Sequence, residues 1–127
     1  CKATITVYAG DSNHVKVKKI ILVTVSPKIP GISQIKSPSA ASVRLKWGKI
    51  SCADGYQIQY STTSNFKKGT YAFTVLSGGS KTTASLGAKQ RIKGGKTYYV
   101  RVRSFSNKFG TRCYSAWSKT KSVRVRK

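Results

Sequence analysis

Apolar and polar residues alternate along most of this chain, in short runs separated by turn-forming residues. ASVRLKW sets Val43, Leu45 and Trp47 on one side and Arg44 and Lys46 on the other. GYQIQY opposes Tyr56, Ile58 and Tyr60 to Gln57 and Gln59, and TYYVRVRSF opposes Tyr98, Val100 and Val102 to Tyr99, Arg101 and Arg103. KSVRVR repeats the pattern with Val123 and Val125 inward. A period of two is what a strand with one buried face requires. Weaker runs, TYAFTVL near Thr70 to Leu76 and TTASL near Thr82 to Leu86, fall between them. The spacing predicts an all-β chain of six or seven short antiparallel strands. Their apolar faces are hidden by stacking sheet on sheet, in a sandwich of about 95 residues.

The first residues stand apart from this series. KATITVYAG alternates with Ile5 and Val7 on one face, DSNH is turn-like, and VKVKKIILVTVSP carries Ile21, Val23 and Val25 in step. Two strands joined this way form a hairpin, and a lone hairpin is marginal in water, so this segment needs partners of its own. PKIPG then places two prolines and a glycine within five residues, which ends any central strand and reads as a short semi-rigid linker. The expected organisation is a hairpin over 1–26, a linker over 27–31 and a sandwich over 32–127.

The chain from about Pro30 to Arg126 resembles a fibronectin type III domain, of the lysine-rich kind found in bacterial surface and secreted multidomain proteins. The residues that carry the resemblance are Pro30, Trp47, ADGYQIQYS at 53–61, IKGGKTYYVRVRSFS at 92–106, YSAWS at 114–118 and the final VRV. It implies an immunoglobulin-like β-sandwich in which Trp47 is the core tryptophan and Tyr98 the corner tyrosine whose hydroxyl ties down the preceding crossover. Tyr56, Ile58, Val100 and Val102 complete the expected core, with Trp117 covering its edge. TTASLGAKQR supplies few large residues where the fifth strand belongs, and Gly94 stands where many members have proline. The register over 78–91 is therefore left open. The opening residues resemble the last two strands of a bacterial immunoglobulin-like repeat, which implies an incomplete first module and further modules in a parent chain.

Charge alters the picture more than any other compositional feature. The 127 residues include 25 Lys and Arg against two Asp and no Glu, a formal +23. Such a chain attracts polyanions at low salt: nucleic acid, wall polymers, acidic glycans or acidic lipid surfaces. The cations are spread along the chain, which equally suits a merely solvated surface. None of the groove-helix, RNP, KH or zinc-finger signatures is present, so charge alone speaks for nucleic acid. No run approaches the roughly 20 apolar residues of a membrane span. The sequence contains no Met, as expected of a processed or excised piece, and nothing resembling a signal peptide opens it.

Catalytic and metal chemistry find little material. Three cysteines without a paired spacing and one histidine, His14, make a poor zinc set, and no cofactor is expected. Asp11 and Asp54 read as turn residues whose side chains bond nearby backbone. They are far apart, so neither a carboxylate pair nor a Ser-His-Asp arrangement is available, and no enzyme is expected. In the fold that the resemblance implies, the loops carrying Cys52 and Cys113 project from the same end of the sandwich. They can form a disulfide worth roughly 4 kcal/mol in a chain-entropy estimate, or remain separate thiols. Cys1 is left over in either case.

Two functions follow from these expectations. One is a non-catalytic spacer or display module of a bacterial extracellular or cell-wall protein, whose partners are the neighbouring domains of its own chain. The other is an anion-binding module for wall polymers or acidic glycans. Its face would comprise Gln57 and Gln59, Arg101 and Arg103 with Tyr99 beside them, and Arg124 and Arg126, on three strands that the family's sheet order makes neighbours. Arginine forks suit phosphate and carboxylate.

Overall fold

The computed structural model of the chain describes residues 2–9, 17–24 and 26–127. Cys1, Asp11 and His14 lie outside the described residues. Strands β1 (Lys2–Ala9) and β2 (Val17–Thr24) pair antiparallel from Lys2 opposite Thr24 to Ala9 opposite Val17, as a separate two-stranded sheet.

The remaining strands form two sheets. One has three strands in the order β3 (Ile32–Lys36), β4 (Val43–Trp47) and β7 (Thr83–Leu86). The other has five. It runs β10 (Lys121–Arg124), β8 (Thr97–Ser106), β5 (Gly55–Ser61) and β6 (Tyr71–Ser77), and the two-residue β9 (Cys113–Tyr114) also pairs with β8. Every pairing is antiparallel. β3 and β9 have no counterpart in the alternation read from sequence, because ISQIK has only two large apolar residues and CY is too short for a period.

The core forms where the inward positions of the two sheets meet. Val43, Leu45 and Trp47 from β4 face Tyr56, Ile58 and Tyr60 from β5 and Tyr98, Val100 and Val102 from β8, all buried. The Trp47 and Tyr56 rings lie 5.3 Å apart and tilted by 57°. Among the described residues Trp47 Nε1, which is buried, has no hydrogen-bond partner, and packing holds this ring. The weak stretch that sequence left open is β7, registered on β4 with Leu86 opposite Val43 and Ala84 opposite Leu45. Small residues suffice there because Leu86 and, beyond the strand, Ile92 fill the volume.

Two tyrosines brace the loops from within. The Tyr98 hydroxyl accepts from the Lys93 amide at 3.0 Å, fastening the crossover into β8. Tyr56 accepts from the Ile50 amide at 2.9 Å and donates to the Gly79 carbonyl at 2.9 Å, joining the loop before β5 to the loop after β6 at one end of this strand pair. At Gly79 the backbone passes so close to the Ala53 carbonyl that a Cβ has no room. The stretch before β3 is also tied down: the Ser104 hydroxyl donates to the Lys28 carbonyl at 2.7 Å, and Pro30 is fully buried.

Candidate functional site on the arginine face

The outer face of the five-stranded sheet is covered by the segment after β9. Ser115 donates its amide to the Ser104 carbonyl at 2.9 Å, and Ser118 donates to Val102 at 2.8 Å. The same two β8 residues return bonds from their amides to the serine hydroxyls, Ser104 to Ser115 Oγ at 3.1 Å and Val102 to Ser118 Oγ at 3.0 Å. Each hydroxyl takes the place of a missing strand carbonyl and passes its own proton to the next one, Ala116 or Lys119. YSAWS therefore lies along β8 without being a regular strand.

This placement brings Tyr114 and Trp117 over the sheet, three residues apart, against Arg103 and Arg101, two apart on β8. The Arg103 guanidinium sits 3.8 Å from the Tyr114 ring centre and 4.3 Å from that of Trp117. Arg101 sits 4.8 Å from Trp117 and 4.2 Å from Phe66. The stack continues at the other end, where Phe105 lies 6.0 Å from Tyr114 and Arg112 lies 4.2 Å from Phe105. Cations and rings thus alternate from Phe66 to Tyr114, with each inner arginine held between two rings. The remaining guanidinium geometry is set from below: Arg101 Nε donates to Gln59 Oε1 at 2.6 Å, and Arg103 Nε donates to Gln57 Oε1 at 2.8 Å. Burial lowers the pKa of both arginines, against a smaller opposing effect of Tyr71 on Arg101 and Tyr114 on Arg103, and both remain cationic.

Of the residues expected to form an anion face, Arg101 and Arg103 are largely engaged by the protein's own rings and amides. β10, β8 and β5 are neighbours as expected. Gln57 and Gln59 point outward yet are 9% and 3% exposed, because the arginines and the aromatic stack lie over them. Arg101, Arg103 and Tyr99 are half-buried, while Arg124 and Arg126 are exposed. Trp117 belongs to this outer stack and not to the edge of the core, a correction that follows from the two serine clamps. The signal in the sequence was the repeated aromatic-serine pair, Tyr114-Ser115 and Trp117-Ser118, facing two arginines on alternate positions.

A second correction concerns the loops. Cys52 is an exposed free thiol, so it is not bonded to Cys113. β5, which Cys52 precedes, and β9, which holds Cys113, flank β8 on opposite sides. Strands two spacings apart are about 10 Å from one another, so a bond from the Cys52 loop to β9 would have to span β8. Cys52 also occupies the left-handed region at φ 63°. The two loops are nevertheless tied, by Asp54. Its Oδ2 accepts from the Asn107 amide at 2.6 Å and from the Ser106 hydroxyl at 3.1 Å. The Asn107 bond is the chief reason the carboxyl sits below its ordinary pKa, helped by Ser106 and Lys108 and opposed by desolvation. Asp54 is thus not a local turn residue; its partners lie more than fifty residues on. Among the described residues, no group of three or more His, Cys, Asp or Glu converges to hold a metal ion, and no helix is long and apolar enough to cross a membrane.

Two antiparallel sheets packed through a Trp and Tyr core, with a tyrosine fastening the crossover, define an immunoglobulin-like β-sandwich protein. Neither a protein-family model nor a curated protein sequence matches the chain. Solved structures do. A two-domain fibronectin type III segment of chicken tenascin aligns with a TM-score of 0.69 at 22% identity, over 96% of this chain and 63% of that one. The chicken CNTN1 FN1-FN3 domains align with 0.65 at 20% identity, over 98% of this chain and 40% of theirs. An Fn3-like protein of Clostridium thermocellum aligns with 0.57 at 22% identity, over 81% of this chain and 97% of its own. Within the sandwich class, the fold is that of a fibronectin type III domain.

Proposed function

We propose that this chain is a non-catalytic spacer or display module of a bacterial cell-surface or secreted protein, working outside the cell or in its wall. The observation that carries the proposal is the internal use of Arg101 and Arg103, whose faces and Nε protons are taken up by the protein's own rings and amides. Residues that a recognition face would offer to a ligand here stiffen the sheet. The docked linker supports the same reading, since Lys28 and Pro30 fix the direction in which the chain enters the sandwich. The likeness to an Fn3-like protein of a bacterium supports the bacterial setting. β1 and β2 are on this reading the end of a preceding immunoglobulin-like module, and the partners are neighbouring domains of the same parent chain.

The test is to replace Arg103 by Ala in the full chain and follow both thermal stability and retention on peptidoglycan carrying wall polymers, on heparin and on DNA. A fall in stability with retention unchanged is expected. Lost retention at undiminished stability would overturn the spacer reading.

A second reading, an anion-binding module for cell-wall polymers or acidic glycans, is favoured by Arg124 and Arg126, which stay exposed with Lys127 nearby. It predicts that replacing both arginines removes retention on one polymer selectively at physiological salt. An equal loss on all three would mark charge without recognition.

A further inference from the structure

Sheet edges expose unpaired amides and carbonyls, and proteins usually guard them with charge, irregularity or shortness. Three of the outer strands here are guarded. β10 carries Lys121 and Arg124, β3 carries Lys36 and a register shift between Ile32 and Gln34, and β7 has four residues. β6 has none of these devices. It is seven residues long, reads YAFTVLS without a charge, and pairs with β5 in unbroken register from Ser61 opposite Tyr71 to Gly55 opposite Ser77. Its backbone groups bond to β5 and, among the described residues, to no other strand.

The side chains on this edge are equally open. Tyr71, Phe73 and Val75 are 36%, 45% and 45% exposed. Phe73 stacks on Trp117 at 6.1 Å and 17°, and Tyr71 meets Phe73 edge-on at 5.3 Å, so the strip is held firm by the arginine face beside it. Exposed cations bracket the strand: Lys67 and Lys68 before it and Lys81 after it.

We propose that β6 is a docking edge for an extended acidic peptide segment of a partner protein, which adds to the five-stranded sheet as a further strand. Main-chain bonds to β6 supply the affinity, and alternate apolar side chains of the peptide rest on Tyr71, Phe73 and Val75. Acidic residues at the two ends of the segment meet Lys67, Lys68 and Lys81. Charge selects this occupant over a second copy of the chain, because two molecules of formal charge +23 repel. A glycan would engage the rings and cations but leave the backbone edge unused.

The probe is a synthetic peptide of alternating threonine and valine flanked at each end by aspartates, titrated at physiological salt into the 127-residue chain. Binding should protect the β6 amides from hydrogen exchange and shift their resonances. A peptide of the same charge with proline in its centre should bind at least about tenfold more weakly, since proline removes a ladder bond. Val75→Glu should weaken the intact peptide about tenfold, whereas Ser122→Glu, the same charge change on β10, should leave affinity unaltered. Equal binding of the proline peptide, or equal weakening by both substitutions, would reduce the effect to net charge and overturn the proposal. So would protection at β10 instead of β6, absence of binding at millimolar peptide, or heparin binding that Val75→Glu abolishes while the peptide does not bind. The exchange measurement on the unmodified chain keeps the test independent of how the variants fold.

Discussion

The Asp54 carboxylate accepts the Asn107 amide at 2.6 Å, linking the loop before β5 to the loop after β8. A bond to the charged form holds the folded pKa below the unfolded value of about 3.9. The stability it contributes is fully present above that unfolded value and is lost as pH falls through the lower, folded one. Because the sequence has only two acidic side chains, the acid limb of the stability curve should be small and assignable. Thermal unfolding followed downward from pH 6 should show a decline below about pH 4 that Asp54→Ala flattens. Parallel curves for both proteins would mean that the clasp does not titrate.

Arg103 lies between two rings and donates to Gln57, so its removal costs two cation–π contacts and a hydrogen bond. Arg103→Ala should lower stability by about 2–3 kcal/mol in denaturant titration. Arg103→Lys should recover only part of this, because an ammonium lacks the flat face that fits between Tyr114 and Trp117. Arg126→Ala, at an exposed guanidinium, should stay within about 0.5 kcal/mol of the unmodified chain.

Removing single hydroxyls from the two bracing tyrosines separates fold from loop order. Tyr56→Phe leaves the Ile50 amide and Gly79 carbonyl without their partner and should cost about 1–3 kcal/mol. Tyr98→Phe removes the bond from Lys93 and should cost about 1 kcal/mol. Amide exchange should rise in the Ile50 and Gly79 loops for the first variant and around Lys93 for the second, with the strand cores unchanged.

The thiols offer a direct chemical check. Cys52 is exposed at the tip of its loop and should react with a thiol reagent in the native, unreduced chain. If Cys52 stays unlabelled until reductant is added, the assignment of a free thiol is wrong.

The alternation in β4, β5 and β8 was enough to identify the strands, to separate Val43, Leu45, Trp47, Ile58 and Val102 from their polar neighbours, and to arrive at a stacked sandwich. That much follows locally, because a period of two sorts side chains to two faces whatever the rest of the chain does. The β7 register was not legible, since TASL has too few large residues for its own pattern to choose a face; β4 chose it. The candidate site shows the same limit more sharply. Alternation placed Gln57, Gln59, Arg101 and Arg103 outward but could not say what lay over them. That depended on Ser115 and Ser118 substituting hydroxyls for strand carbonyls and so drawing Tyr114 and Trp117 across the sheet. Likewise, the resemblance allowed a disulfide between two loops or separate thiols, and in the folded chain Cys52 is free while the Asp54 carboxylate makes the tie. Side-chain polarity alone determined which face each strand residue takes; contacts between segments distant in sequence decided whether that face is free for a ligand.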